Sequence, residues 1–139
     1  MLKTSTATRI ETTLESARDE CGHVVVPEGV TAIGNHAFFR SKIESVELPK
    51  TLTSIGYCSF SDCMNLRRLE IPEGVKEIHY GAFSGCKNLE YISIPKTVAS
   101  IKGDLFSHCT GLKKIVVPLH LVNQAASETP SSATIEVLR

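Results

Sequence analysis

Three cysteines, Cys63, Cys86 and Cys109, stand 23 residues apart, and a histidine, His108, adjoins the last of them. Thiols at a constant spacing suggest redox or metal chemistry. If the spacing is a structural period, neighbouring members fall within the Cα separation of roughly 4.4–6.8 Å at which disulfides form. A zinc site, however, takes four converging ligands, whereas a column offers a line. Cysteine is also a small residue that suits a tight buried corner, and that is the reading the pattern favours. His108 and Cys109 have the types of a Cys–His nucleophile, but adjacent residues of an extended chain point apart and no third residue orients them. His23, His36, His79 and His120 are scattered, and there is no G-x-S-x-G, P-loop or G-x-G-x-x-G motif. No catalytic residue, cofactor or metal ligand is expected.

The period that organises the cysteines runs through most of the chain. Prolines recur at Pro27, Pro49, Pro72, Pro95 and Pro118, with gaps of 22, 23, 23 and 23 residues, and Phe38, Phe60, Phe83 and Phe106 keep the same step. A fixed period of this length marks a solenoid whose turns bury their apolar faces only against their neighbours. Aligned on the prolines, the turns give three apolar columns: Cys21/Ile43/Leu66/Leu89/Leu112, Val24/Val46/Leu69/Ile92/Ile115 and Val26/Leu48/Ile71/Ile94/Val117. The last two alternate with polar residues as a short strand does, so successive copies should pair into a parallel sheet that ends at proline, which has no N–H to donate. Beyond the strand, proline is expected at the second position of a type I turn with Gly29 and Gly74 at the fourth. The chain then returns through Val30/Leu52/Val75/Val98 and Ile33/Ile55/Ile78/Ile101 and buries one phenylalanine per turn. Glu28, Lys50, Glu73 and Lys96 follow the prolines, and their alternating signs are expected to pair between turns, each pair contributing about 0.2–1 kcal/mol.

Where such a scaffold leaves room for function is on its outward strand positions. These are His23 and Val25, Ser45 and Glu47, Arg68 and Glu70, Tyr91 and Ser93, and Lys114 and Val116. Arginine and tyrosine are favoured interface anchors, so this row is the first candidate for partner binding. A second candidate is the loop-rich flank, where Phe39 stands in the place of Ser61, Ser84 and Ser107, and Tyr57 and Tyr80 occupy neighbouring turns. The strand strip alone measures roughly 250 Å², against about 800 Å² per partner in a standard interface. That size suits a short peptide, a weak repeated contact or a face assisted by flanking loops.

The 22 to 23-residue unit IPxxVxxIGxxAFxxCxxL resembles the BspA-type leucine-rich repeat, also called the Treponema-type repeat, over roughly residues 21–118. Departures are local: His79 and Lys102 stand where Gly34 and Gly56 do, Leu105 replaces a small residue, and the first complete turn lacks the cysteine. The resemblance implies a right-handed leucine-rich-repeat solenoid, α/β or mainly β, with a parallel sheet on one face and short strands and turns on the other. It also implies a non-enzymatic module for protein binding, common in bacteria and unicellular eukaryotes and often found on surface or secreted proteins of host-associated microbes.

Outside the repeat, Ile10, Leu14, Ala17 and Cys21 fall on a helical stripe, which predicts a short capping helix within residues 1–20 and a flexible stretch over 1–8. Residues 119–139 are expected to form a C-terminal cap ending in a strand over 134–138. Fifteen basic and fifteen acidic residues cancel, which gives no field to recommend nucleic acid. No run of about 18 apolar residues predicts membrane insertion, and the first twenty residues contain no apolar export signal. The expected partner is a protein or peptide, with the chain itself monomeric or weakly self-associating. Unpaired cysteines favour a reducing compartment, although the resemblance allows a secreted or surface protein. Two other readings are the recognition part of a larger enzyme or effector, and a self-associating structural protein.

Overall fold

The computed structural model describes residues 2–8 and 11–138. Among the described residues eleven strands occur in the order β1 (Lys3–Thr8), β2 (Glu11–Ser16), β3 (Cys21–Val25), β4 (Ala32–Ile33), β5 (Lys42–Glu47), β6 (Ser54–Ile55), β7 (Arg68–Glu70), β8 (Glu77–Ile78), β9 (Tyr91–Ser93), β10 (Lys114–Pro118) and, after a 3₁₀ turn (Leu119–Leu121) and helix α1 (Val122–Glu128), β11 (Thr134–Leu138). They wind into a β-solenoid. One face carries two parallel sheets, β3–β5 and β7–β9–β10–β11, and the other carries β1–β2–β4–β6–β8. Along the first face the ladder stops where expected: Val26, Ile71 and Ile94 donate to Glu47, Ser93 and Val116 carbonyls, and the next residue in each case is proline.

Between the faces runs a stack of buried rings. Phe38 and Phe60 lie 4.8 Å apart at 8°, Phe60 and Phe83 5.7 Å at 27°, and Phe83 and Phe106 6.2 Å at 14°. Offset stacking satisfies the ring quadrupoles while each ring excludes water. The cysteine column packs beside it and has a backbone role: the thiols of Cys63, Cys86 and Cys109 each donate to the carbonyl of the phenylalanine one turn earlier, Phe38, Phe60 and Phe83, at 3.0 Å. In the first turn Ser41 takes this place, 2% exposed, its hydroxyl donating to the Glu20 carbonyl. Burial pushes the Cys109 thiol up to about 12, and the neighbouring Cys63 thiol together with burial holds Cys86 well above the usual range. The Cys86 and Cys109 thiols remain protonated and poorly nucleophilic.

Several expectations need correction. The N-terminal stripe is not a helix: β2 pairs parallel with β4 and antiparallel with β1, so a strand lies over Lys3–Thr8 where a flexible stretch was expected. The β-branched Thr12 and Thr13 suit a strand, and the open edge of β4 supplies its ladder. Leu14 and Ala17 still reach the core, whereas Ile10 lies outside the described residues. Cys21 is exposed; Gly22, not Cys21, faces Ile43, and a bulge leaves Glu44 of β5 unpaired opposite the Gly22–His23 step.

The proline turns are shifted by one position, because Val30, Leu52, Val75 and Val98 donate to the carbonyls of the prolines themselves. Proline is therefore first in the turn. Gly29 is third, with φ of 101°, a conformation that glycine supplies without strain. Among the described residues no ion pair joins Glu28, Lys50, Glu73 and Lys96. Instead the Lys50 N–H donates to the Glu28 carboxylate, while the threonines beside the lysines tie the turns together. The Thr51 hydroxyl accepts from Gly29 N–H and donates to the Val30 carbonyl, and Thr97 lies 2.6 Å from the Glu73 and Val75 carbonyls. The alternating Glu-Gly and Lys-Thr pairs thus serve turn contacts rather than salt bridges.

Two backbone columns flank the phenylalanines. His36, Cys58, Gly81 and Asp104 form one, Arg40, Asp62, Gly85 and His108 the other, all with φ between 50° and 78°. Histidine and aspartate tolerate this left-handed region better than most residues, but glycine is free of its strain. His108→Gly is expected to stabilise the fold by about 0.5–1 kcal/mol, and His108→Val to destabilise it by at least as much. Urea midpoints measure both, and a lower midpoint for His108→Gly contradicts the argument.

Candidate protein-interaction face

Strand pairing sets the outward residues in register. On the β3–β5 sheet, His23 lies opposite Ser45 and Val25 opposite Glu47. Ser45 Oγ is 2.6 Å from His23 Nδ1, and Glu47 Oε2 is 3.2 Å from His23 Nε2. The trio has the residue types of a hydrolytic triad, but it sits on an open sheet with the His23 and Glu47 side chains 54% and 65% exposed. A catalytic site gains its electrostatic strength from an enclosed, water-poor pocket, which this surface does not provide.

On the second sheet Arg68 lies opposite Tyr91, and Tyr91 opposite Lys114. The Arg68 guanidinium rests 3.9 Å from the Tyr91 ring centre and donates to Glu70 Oε1 at 3.0 Å. Lys114 pairs with Glu136 on β11 at 2.6 Å, and that carboxylate raises the lysine pKa. Ser93 is half-buried between Glu70 and Val116 in register. Val116, expected to face outward, is only 7% exposed. The face therefore holds one guanidinium already stacked and several charges already paired, so its side chains lose little freedom when a partner arrives.

The flank residues are committed internally to different degrees. Phe39 is held between Arg40 and Arg18, whose guanidinium carbons lie 5.0 and 5.8 Å from its ring centre. Tyr80 donates to Asp104, which raises the tyrosine pKa and lowers that of the carboxyl, and its ring lies over Gly103. Tyr57 stacks on His79 at 4.8 Å. Tyr57 and Tyr80 remain about half exposed and border a cleft of 430 Å³ with Glu77, His79, Lys102 and Gly103. The structure thus gathers the sequence candidates into three groups, one on each strand-face sheet and one on the flank. The sequence reading missed Glu136 and Arg18, which lie outside residues 21–118; His79 carried a signal, since it interrupts a glycine column.

A family model of the BspA-type leucine-rich repeat region matches residues 15–128 in six copies. The chain belongs to that family. BspA-type repeats are, in general, protein-interaction modules. Among solved structures, this BspA-type chain is similar to a leucine-rich repeat protein from T. pallidum, at 26% identity and a TM-score of 0.78, over 98% of this chain and 61% of that one. It is also similar to a leucine-rich repeat protein from Bacteroides ovatus (20% identity, TM-score 0.73, 87% of this chain and 37% of that one). A leucine-rich cell surface protein from Faecalibacterium prausnitzii aligns at 24% identity and a TM-score of 0.67, over 92% and 41%. The chain thus spans less than two thirds of each. No curated protein matches it.

Proposed function

We propose that this BspA-type chain is a non-enzymatic interaction module that engages a protein or peptide through the outward face of its strands. The observation that carries this reading is the stacked Arg68–Tyr91 pair. It places two of the residue types enriched at interface hot spots side by side, on a paired ladder, with Arg68 exposed. Phe39, Tyr57 and Tyr80 form a subordinate contact, because all three side chains are already engaged within the chain. The small strand strip favours a weak contact or an extended peptide over a broad globular interface.

The test is partner capture by the wild-type chain and by the Arg68→Glu/Tyr91→Ala double variant, each checked by thermal melting. Loss of capture with a melting temperature within a few degrees supports the face. Undiminished capture by the variant overturns it.

A further inference from the structure

The charges on the second sheet are sorted into two rows. Register places Arg68, Tyr91 and Lys114 side by side across β7, β9 and β10, and Glu70, Ser93, Val116 and Glu136 side by side across β7, β9, β10 and β11. One row carries only positive charge and the other only negative, two residues apart along the strands, a separation of about 7 Å. A surface of this kind is complementary to itself under one rotation. A two-fold axis lying in the interface and running across the strands sets the basic row of one copy on the acidic row of the other. Arg68 then meets Glu70 of the second copy, and Glu70 meets its Arg68. A two-fold axis along the strands instead sets Arg68 towards Lys114, bringing like charges together.

We propose that the strand face pairs with a second copy of this chain, face to face, through reciprocal Arg68–Glu70 contacts about the axis that crosses the strands. This rests on the reading of the strand face as the binding surface and names its partner. The intrachain Arg68–Glu70 pair, 3.0 Å apart, is exposed at both ends, with side chains 61% and 65% accessible. Association can therefore turn each two-membered pair into an alternating square without first breaking the intrachain contact. Equal numbers of basic and acidic residues leave no net repulsion between copies. The area is small, so the dimer is weak and sensitive to salt.

Sedimentation velocity over a concentration series reaching about 1 mM, at low and high salt, tests this with charge reversals. The wild-type chain is expected to shift towards a dimer, less so at high salt. Arg68→Glu and Glu70→Arg alone should each weaken association at least tenfold, whereas a mixture of these two variants should associate, because each row then faces its opposite. The doubly reversed Arg68→Glu/Glu70→Arg chain should recover self-association. Thermal melts of every variant confirm that it is folded. A wild-type chain that stays monomeric, association indifferent to the reversals, or a mixture that fails to associate overturns the proposal. If the chain stays monomeric while Arg68→Glu/Tyr91→Ala still abolishes capture of another protein, the self-pairing fails and the binding face stands.

Discussion

Phe60→Ala is expected to lower the free energy of unfolding by about 3–5 kcal/mol. The ring is fully buried and sits between Phe38 and Phe83, at 4.8 and 5.7 Å. Its removal leaves a void in the middle of the column that the neighbouring turns cannot close, since the Phe60 N–H and carbonyl are tied to Ala82 and Cys86. In a solenoid each turn is stabilised mainly by its neighbours, so a gap in the centre weakens both halves. For a domain whose total stability is of the order of 5–15 kcal/mol, that loss is a large share. Urea denaturation gives the value. Phe39→Ala provides the contrast: its ring is only half-buried, on the flank, and its loss should cost less than about 1.5 kcal/mol. A loss of under 1 kcal/mol for Phe60→Ala shows that the stack does not carry the core.

Ending the chain after Val117 is expected to cost about 5 kcal/mol or more, enough to abolish cooperative folding. The deleted segment contains β11, paired over five residues with β10, and Leu121 and Ala125, which are fully buried. It also removes the Gln124 side chain that accepts the Ile101 N–H and the Glu136 carboxylate that holds Lys114. Without it the buried faces of Phe106, Leu112, Ile115 and Val117 meet water at an unprotected end. Near-ultraviolet circular dichroism and a thermal melt of the 1–117 chain test this, and a melting temperature equal to that of the full chain contradicts it.

The repeat was legible because its constraints recur. Leu66, Leu69 and Ile71 are explained by one turn and checked by three others, and every phenylalanine assigned to the core lies there. The N-terminal strand was not legible. Leu14 and Ala17 fit a helix by spacing, and only the edge of β4, formed 19 residues later, decides for a strand. The left-handed columns were hidden for another reason: His36, Cys58, Arg40 and Asp62 share a backbone angle but no side-chain type. In the candidate face, the outward row followed from alternation alone. The Arg68–Tyr91 stack needed the register of β7 against β9, and the Lys114–Glu136 pair needed a strand from outside the repeat. The alternation of Glu28, Lys50, Glu73 and Lys96 was read as electrostatics because charge is conspicuous in a sequence, while the bonds of Thr51 and Thr97 are not.

The ladders that join one turn to the next have a mechanical consequence. Their hydrogen bonds run along the stacking direction, so a pull applied between the two ends of the coil loads them one after another rather than all together. Under tension the coil unzips turn by turn from an end, each turn of 22–23 residues releasing about 75–80 Å of slack chain. The thiol bonds from Cys63, Cys86 and Cys109 act as extra stitches at every step. A scaffold of this kind extends as a succession of small yields, and the strand face proposed to bind keeps its shape until the force reaches the turns beneath it.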